Sequence, residues 1–162
     1  MTTETTDRAR EKAQAQLEGI IAMVKRLEHC NECDGGEDCE LTDEQILEGL
    51  ELASGQEVTD EEREQYHDED EARERIQEDP LSVQVRSGWH TPCEASEPME
   101  YEILLCTGGP AVRIIGQLGR YNEPESAELQ CQDWSTPWEE LITTGEDNEA
   151  LLTYARSFYF GE

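Results

Sequence analysis

The chain has 162 residues, 40 of them Asp or Glu against 12 Lys or Arg, for a formal net charge of −28. That balance excludes a nucleic-acid binder, which needs a basic groove to meet phosphates. The apolar runs reach only four or five residues, far short of the about 20 that cross a membrane.

The charge is concentrated. Between Glu28 and Asp79 stand 22 carboxylates and three basic residues, Arg63, Arg73 and Arg75. Self-repulsion of this kind destabilises a compact state while steering basic partners toward it. The region is either a solvated, solubilising stretch or a surface for a partner built to hold nucleic acid. An apolar share of 35% suits one domain with an appendage, or two very small modules. Residues 1–80 read as an acidic helical region. Residues 81–162 read as an antiparallel sheet with a C-terminal helix, holding the core on which the first part leans. No signal-peptide pattern opens the chain, so the expected location is the cytoplasm. Six cysteines there point to metal ligation or burial rather than to disulfides.

The first helix is expected from about Asp7 to Glu28. Leu17, Ile20, Ile21, Val24 and Leu27 form one apolar stripe on an otherwise charged helix. The stripe can dock on a sheet or pair with its own copy in a homodimer. The loop from His29 to Cys39 follows and holds the best metal candidate. Cys30-x₂-Cys33 supplies a thiolate knuckle, Cys39 a third sulfur, and His29, His67 or Cys93 a fourth ligand. The ion in view is a structural zinc, which would also offset repulsion among Glu28, Glu32, Asp34, Glu37 and Asp38. Ordinary loop cysteines are the alternative, since no second C-x₂-C pair exists.

Thr42-Asp43-Glu44-Gln45 has the capping-box pattern, with Leu41 and Ile46 placed as a staple. It opens a second helix that should stop near Ser54-Gly55. Thr59-Asp60-Glu61-Glu62 repeats the pattern and opens a third helix reaching about Glu78. Asp79-Pro80 closes it, because the residue before proline is pushed out of the helical region. This third helix offers only Tyr66, Ala72 and Ile76 to a core. A helix polar all round stands in solvent or lies against a partner. Its later run Asp68-Glu69-Asp70-Glu71 gains nothing from the helix dipole and is tolerated rather than required by the fold.

From Leu81 the period becomes alternating. Ser82–Trp89 places Val83, Val85 and Trp89 on alternate positions, and Met99–Cys106 ends apolar on both faces, as in a central strand. Thr107–Pro110 is a hairpin turn into Ala111–Leu118. Glu125–Trp134 points Ala127, Leu129 and Cys131 inward. Glu146–Phe160 reads as a helix with Leu151, Leu152, Ala155, Phe158 and Tyr159 on its buried side. Trp89, Trp134 and Trp138 are expected in core or edge packing. The fold class is α+β: a small antiparallel sheet of three or four strands, packed by the N- and C-terminal helices, with the acidic helical segment to one side.

Tyr101-Glu102-Ile103-Leu104-Leu105-Cys106-Thr107-Gly108-Gly109-Pro110-Ala111-Val112-Arg113-Ile114-Ile115-Gly116 and Gln132-Asp133-Trp134-Ser135-Thr136-Pro137-Trp138 resemble a group of small, acidic proteins of bacteriophages and prophages. The resemblance covers about the second half of the chain and carries no catalytic motif. It implies a context, that of phage-borne inhibitors of host defence such as anti-CRISPR and anti-restriction proteins.

Catalysis finds little support. His90-Thr91-Pro92-Cys93 lacks the H-x-E and P-C-x-x-C elements of the zinc deaminases, and Cys93 beside His90 has no third group to orient the base. The chain is therefore expected to be a binding protein rather than an enzyme, contacting neither nucleic acid nor membrane directly. Duplex DNA carries one charge per about 1.7 Å of axis, and carboxylates one helical turn apart recur every about 5.4 Å. Glu57, Asp60, Glu61, Glu64, Asp68, Glu71, Glu74 and Glu78 form such a ladder. Asp43, Glu44 and Glu48 extend it, with Glu40 and Glu51 beside them. The expected partner is the basic groove of a host nucleic-acid-binding complex, a CRISPR effector first among them. The alternative is a metal-stabilised interaction module that binds through the apolar stripe of the first helix.

Overall fold

A computed structural model describes residues 2–33, 35–36, 39–134 and 136–160. In chain order the elements are α1 (Thr2–Glu32), α2 (Asp43–Gly49), α3 (Asp60–Tyr66) and α4 (Glu69–Glu78). Then come β1 (Ser82–Ser87), β2 (Pro98–Cys106), β3 (Ala111–Gln117), β4 (Glu128–Gln132), β5 (Glu139–Glu140) and α5 (Gly145–Arg156). The strands form one antiparallel sheet in the order β1-β2-β3-β4-β5. The fold is α+β, with one short strand more than the alternation predicted. Two consecutive glutamates, Glu139 and Glu140, carry no period from which β5 could be read.

Strands β2, β3 and β4 each bury the face their alternation dictates. Ile103 stands opposite Ile114, and Ile114 opposite Leu129, forming a row across the middle of the core. β2 is apolar mainly on one side: Tyr101, Ile103 and Leu105 are buried, while Leu104 and Cys106 are half-buried. The stripe of α1 closes over this face. Leu17, Ile20, Val24 and Leu27 share one cluster with the sheet, with Ala72 and Ile76 of α4, and with Leu151 and Tyr154 of α5. Fully burying a side chain of this size contributes about 1.5–3 kcal/mol. The stripe is thus occupied by the chain's own core and is not free for a partner or a second copy.

The cover thins toward β1. Leu81, Val83 and Val85 stay exposed, Val85 at 47%, as does Met99 on the neighbouring strand. Two tryptophans depart from the packing expected of them. Trp89 is 106% exposed and Trp134 81%, because each sits in a loop just past its strand. Trp138 is half-buried and stacks on Arg113, whose guanidinium carbon lies 4.1 Å from the ring centre. At the other end α5 stops at Arg156, so Tyr159 turns outward while Tyr154 and Phe160 fill the core.

The acidic helices differ most from expectation. α2 ends at Gly49, not near Ser54-Gly55, because Glu51 turns into the left-handed region at φ 59° and the Leu52 amide donates back to the Leu47 carbonyl at 2.8 Å. The single third helix is two helices. α3 ends at Tyr66, and Asp68 caps α4 by accepting hydrogen bonds from the amides of Asp70 and Glu71. On a straight helix Tyr66 and Ala72, six residues apart at about 100° each, would point about 120° apart. The break lets Tyr66 join a small separate core with Ile46 and Leu50, while Ala72 and Ile76 join the main one. Glu69, Asp70 and Glu71 therefore sit in the first turn of a helix, where the dipole favours them. Among the described residues, no helix is long and apolar enough to cross a membrane.

Candidate metal centre

α1 continues through Glu32, past the point where the loop was expected to begin. His29 and Cys33 are then four residues apart on one helical face, and the Cys33 amide donates to the His29 carbonyl at 2.8 Å. Cys39 returns to them across a loop whose Gly35 has φ +84°, a conformation that favours glycine. An added Cβ at Gly35 would lie 3.1 Å from the His67 ring, so the absent side chain also makes room for that ring. His67 caps the C-terminus of α3.

These four side chains converge. One ligand atom from each of His29, Cys33, Cys39 and His67 lies within 4.8 Å of the others, and the group could hold a metal ion. The two Nε2 atoms are 3.1 Å apart. Cys39 Sγ lies 3.6 Å from Nε2 of His29 and 3.4 Å from Nε2 of His67. The other nitrogen of His67, Nδ1, donates to the Arg63 carbonyl at 2.8 Å. That bond fixes the tautomer, so Nε2 turns a lone pair into the cluster, as in metal sites whose imidazoles are oriented from behind. His29 titrates below its ordinary value, chiefly because burial disfavours the cation, with His67 adding to the effect and Glu32 opposing it. Neutral imidazole is the form that ligates.

Cys30 does not join the group. It lies about a third of a turn from His29, and its thiol donates to the Tyr66 carbonyl at 3.1 Å. Burial raises its pKa, with Arg26 opposing. His67 takes the place expected of Cys30, and Cys93 is exposed in the loop between β1 and β2.

The same junction is fastened by Arg26. Its Nε donates to the Tyr66 carbonyl at 3.1 Å and its Nη2 to that of Gln65 at 2.8 Å. Its guanidinium also lies over the Tyr66 ring. Between them Arg26 and the metal candidate engage three consecutive residues where α3 meets α4, Arg26 taking Gln65 and Tyr66 and the candidate taking His67.

The predicted acidic ladder is regrouped. Glu44, Glu48, Glu57, Asp60, Glu61, Glu64, Glu74 and Glu78 are exposed. Asp43 is bound to Arg63 at 2.9 Å. Glu71 lies 3.6 Å from Arg26 and 3.8 Å from Arg75, and it accepts from Gln65. Asp68 is exposed but serves as the α4 cap. Glu51 holds Arg75. With α3 and α4 separate, there is no single helix to carry one continuous row.

Compared with known protein families, with curated proteins and with solved structures, the chain matches none.

Proposed function

We propose that the chain is a non-enzymatic binding protein in which a structural zinc ion at His29, Cys33, Cys39 and His67 pins the acidic helices to α1. The surface so held docks in the basic groove of a nucleic-acid-binding protein. The observation that carries the reading is the spacing of the ligand atoms. In a tetrahedron with Zn–N of about 2.0 Å and Zn–S of about 2.3 Å, the nitrogens stand about 3.3 Å apart and nitrogen and sulfur about 3.5 Å apart. The distances here are 3.1, 3.4 and 3.6 Å. Two thiols that lose their protons to a divalent cation leave a neutral site. Zinc therefore fastens the junction without relieving the surrounding negative charge.

The docking half of the proposal rests on the exposed carboxylates of α2, α3 and α4 and on the low count of cations among them. The resemblance read in the second half of the chain to phage-borne acidic proteins supports a partner in a bacterial host cell. It makes a defence complex, a CRISPR effector first, the target to test.

Protein purified without added metal is expected to carry about one zinc per chain, because structural sites bind tightly. Cys33→Ser should lose the ion and Cys30→Ser keep it; elemental analysis finding no zinc in the parent would refute the centre. For docking, Glu57, Glu61, Glu64 and Glu74 should be reversed to Lys together, sparing Asp68 and Glu71, whose loss would break a cap and an ion pair. Binding to the captured target should collapse, and in the parent it should weaken steeply between about 50 and 200 mM salt. Undiminished binding by the reversed variant would leave these acids as a solvated face.

A further inference from the structure

The metal centre carries two sulfurs, and their placement allows a second state. We propose that Cys33 and Cys39 are a paired oxidation site: a peroxide converts them to a disulfide, which ejects the metal and releases α2 and α3 from α1. The inference rests on the zinc reading above and adds a means of control to it.

Both sulfurs belong to the group whose ligand atoms lie within 4.8 Å of one another. A disulfide needs about 2.05 Å, so closure asks for a local shift. The five residues between them include Gly35 and Gly36, which give the backbone freedom to make it. Neither cysteine is buried, so a small oxidant can reach them. The competing thiol, Cys30, is held away by its bond to the Tyr66 carbonyl.

The step balances. One thiolate attacks a peroxide oxygen and becomes a sulfenic acid, and the other oxygen leaves as hydroxide. The second thiolate then displaces hydroxide from the sulfenic sulfur to form the S–S bond. Two thiolates give up two electrons in all, the peroxide takes both, and two protons from solvent complete two waters. Zinc keeps its charge throughout. It leaves because two imidazoles are a poor substitute for four ligands.

Loss of the ion matters because α2 and α3 stand on a small core of their own, Ile46, Leu50 and Tyr66 with Leu41 and Val58 beside them. Such a core does not support independent folding. Without metal the grip on Gln65–His67 falls to Arg26 and Cys30.

The test uses the full-length, zinc-loaded protein. Metal content is measured first, then hydrogen peroxide is titrated in with a chromogenic zinc chelator present. Hydrogen exchange is followed over residues 40–67, and a peptide map locates the bridge. The expected result is zinc release in step with a Cys33–Cys39 link, faster exchange confined to 40–67, and full reversal by dithiothreitol with added zinc. No zinc at the outset overturns both the centre and its control. Zinc retained at doses that oxidise exposed Cys93, or a bridge through Cys30, overturns the control alone. Release with unchanged exchange overturns the detachment of α2 and α3.

Discussion

A methyl group at Gly35 would meet the His67 ring at 3.1 Å while the backbone holds φ +84°, so this position faces two constraints at once. Gly35→Ala is expected to weaken zinc binding by shifting His67, with the main core unaffected. A competition titration against a chelator of known affinity should read the loss, and equal affinity would mean that the ring yields freely. Gly49 poses the same question for the small core, where an added Cβ would lie 2.3 Å from Tyr66. That His67 rather than Cys30 completes the cluster could not be read from C-x₂-C-x₅-C alone. It follows from α1 running through Glu32, which aligns His29 with Cys33 and turns Cys30 toward Tyr66. The spacing His29-x₃-Cys33 is a one-face helical pair, and that was the available signal.

Among the elements, the helix starts were the most legible feature. Thr42 and Thr59 form the capping boxes that their sequences encode, the Thr59 amide meeting the Glu62 carboxylate at 2.9 Å and the Glu62 amide meeting the Thr59 hydroxyl at 3.2 Å. Thr59→Ala should cost about 1 kcal/mol, read as a lowered denaturation midpoint; an unchanged midpoint would mean that α3 is held by its tertiary contacts through Tyr66, Arg63 and Gln65 rather than by its cap. The break between α3 and α4 was harder to see, since no Gly or Pro marks it. Asp68 with Glu71 three residues on does fit a helix-start pattern, but it lay inside a segment that already looked helical. What accompanies the break is tertiary: Tyr66 belongs to one core and Ala72 and Ile76 to another, and the turn at His67 and Asp68 lets the chain supply both. The sheet was legible because alternation is local. The exposure of Val83 and Val85 was not, since it depends on how far α1 and α5 reach across the strands.

For the molecule as a whole, two buried phenols tie distant parts together. Tyr154 donates to the Asp79 carboxylate at 2.7 Å, joining α5 to the end of α4, and Tyr101 donates to the Ser126 carbonyl. Burial raises both pKa values well above the ordinary range, and for Tyr154 the Asp79 hydrogen bond and charge add to it. An unfolded tyrosine ionises near pH 10, whereas these hold their protons. The stability they supply is therefore complete below about pH 10 and lost as pH rises beyond it. Denaturant midpoints should fall as pH rises past about 10, and Tyr154→Phe should flatten that slope; identical slopes would show that other groups govern the alkaline limit.

β1 is an outer strand of the sheet, the longer of its two edges. Ser-Val-Gln-Val-Arg-Ser offers neither the Pro nor the Lys with which open strands are commonly blunted, and its own Val83 and Val85 lie uncovered. An unpaired backbone edge with apolar side chains is a template for strand-to-strand stacking between molecules. What opposes such stacking is the net charge of −28, whose reach shrinks from about 10 Å in 0.1 M salt to about 3 Å in 1 M. Concentrated salt should therefore drive the chain into larger species in light scattering, and Val85→Lys should keep it dispersed; a parent that stays dispersed would place the protection in β1 itself. On this view the acids keep copies of the protein in colloidal suspension, guarding a seam of the sheet from which they are separated in sequence.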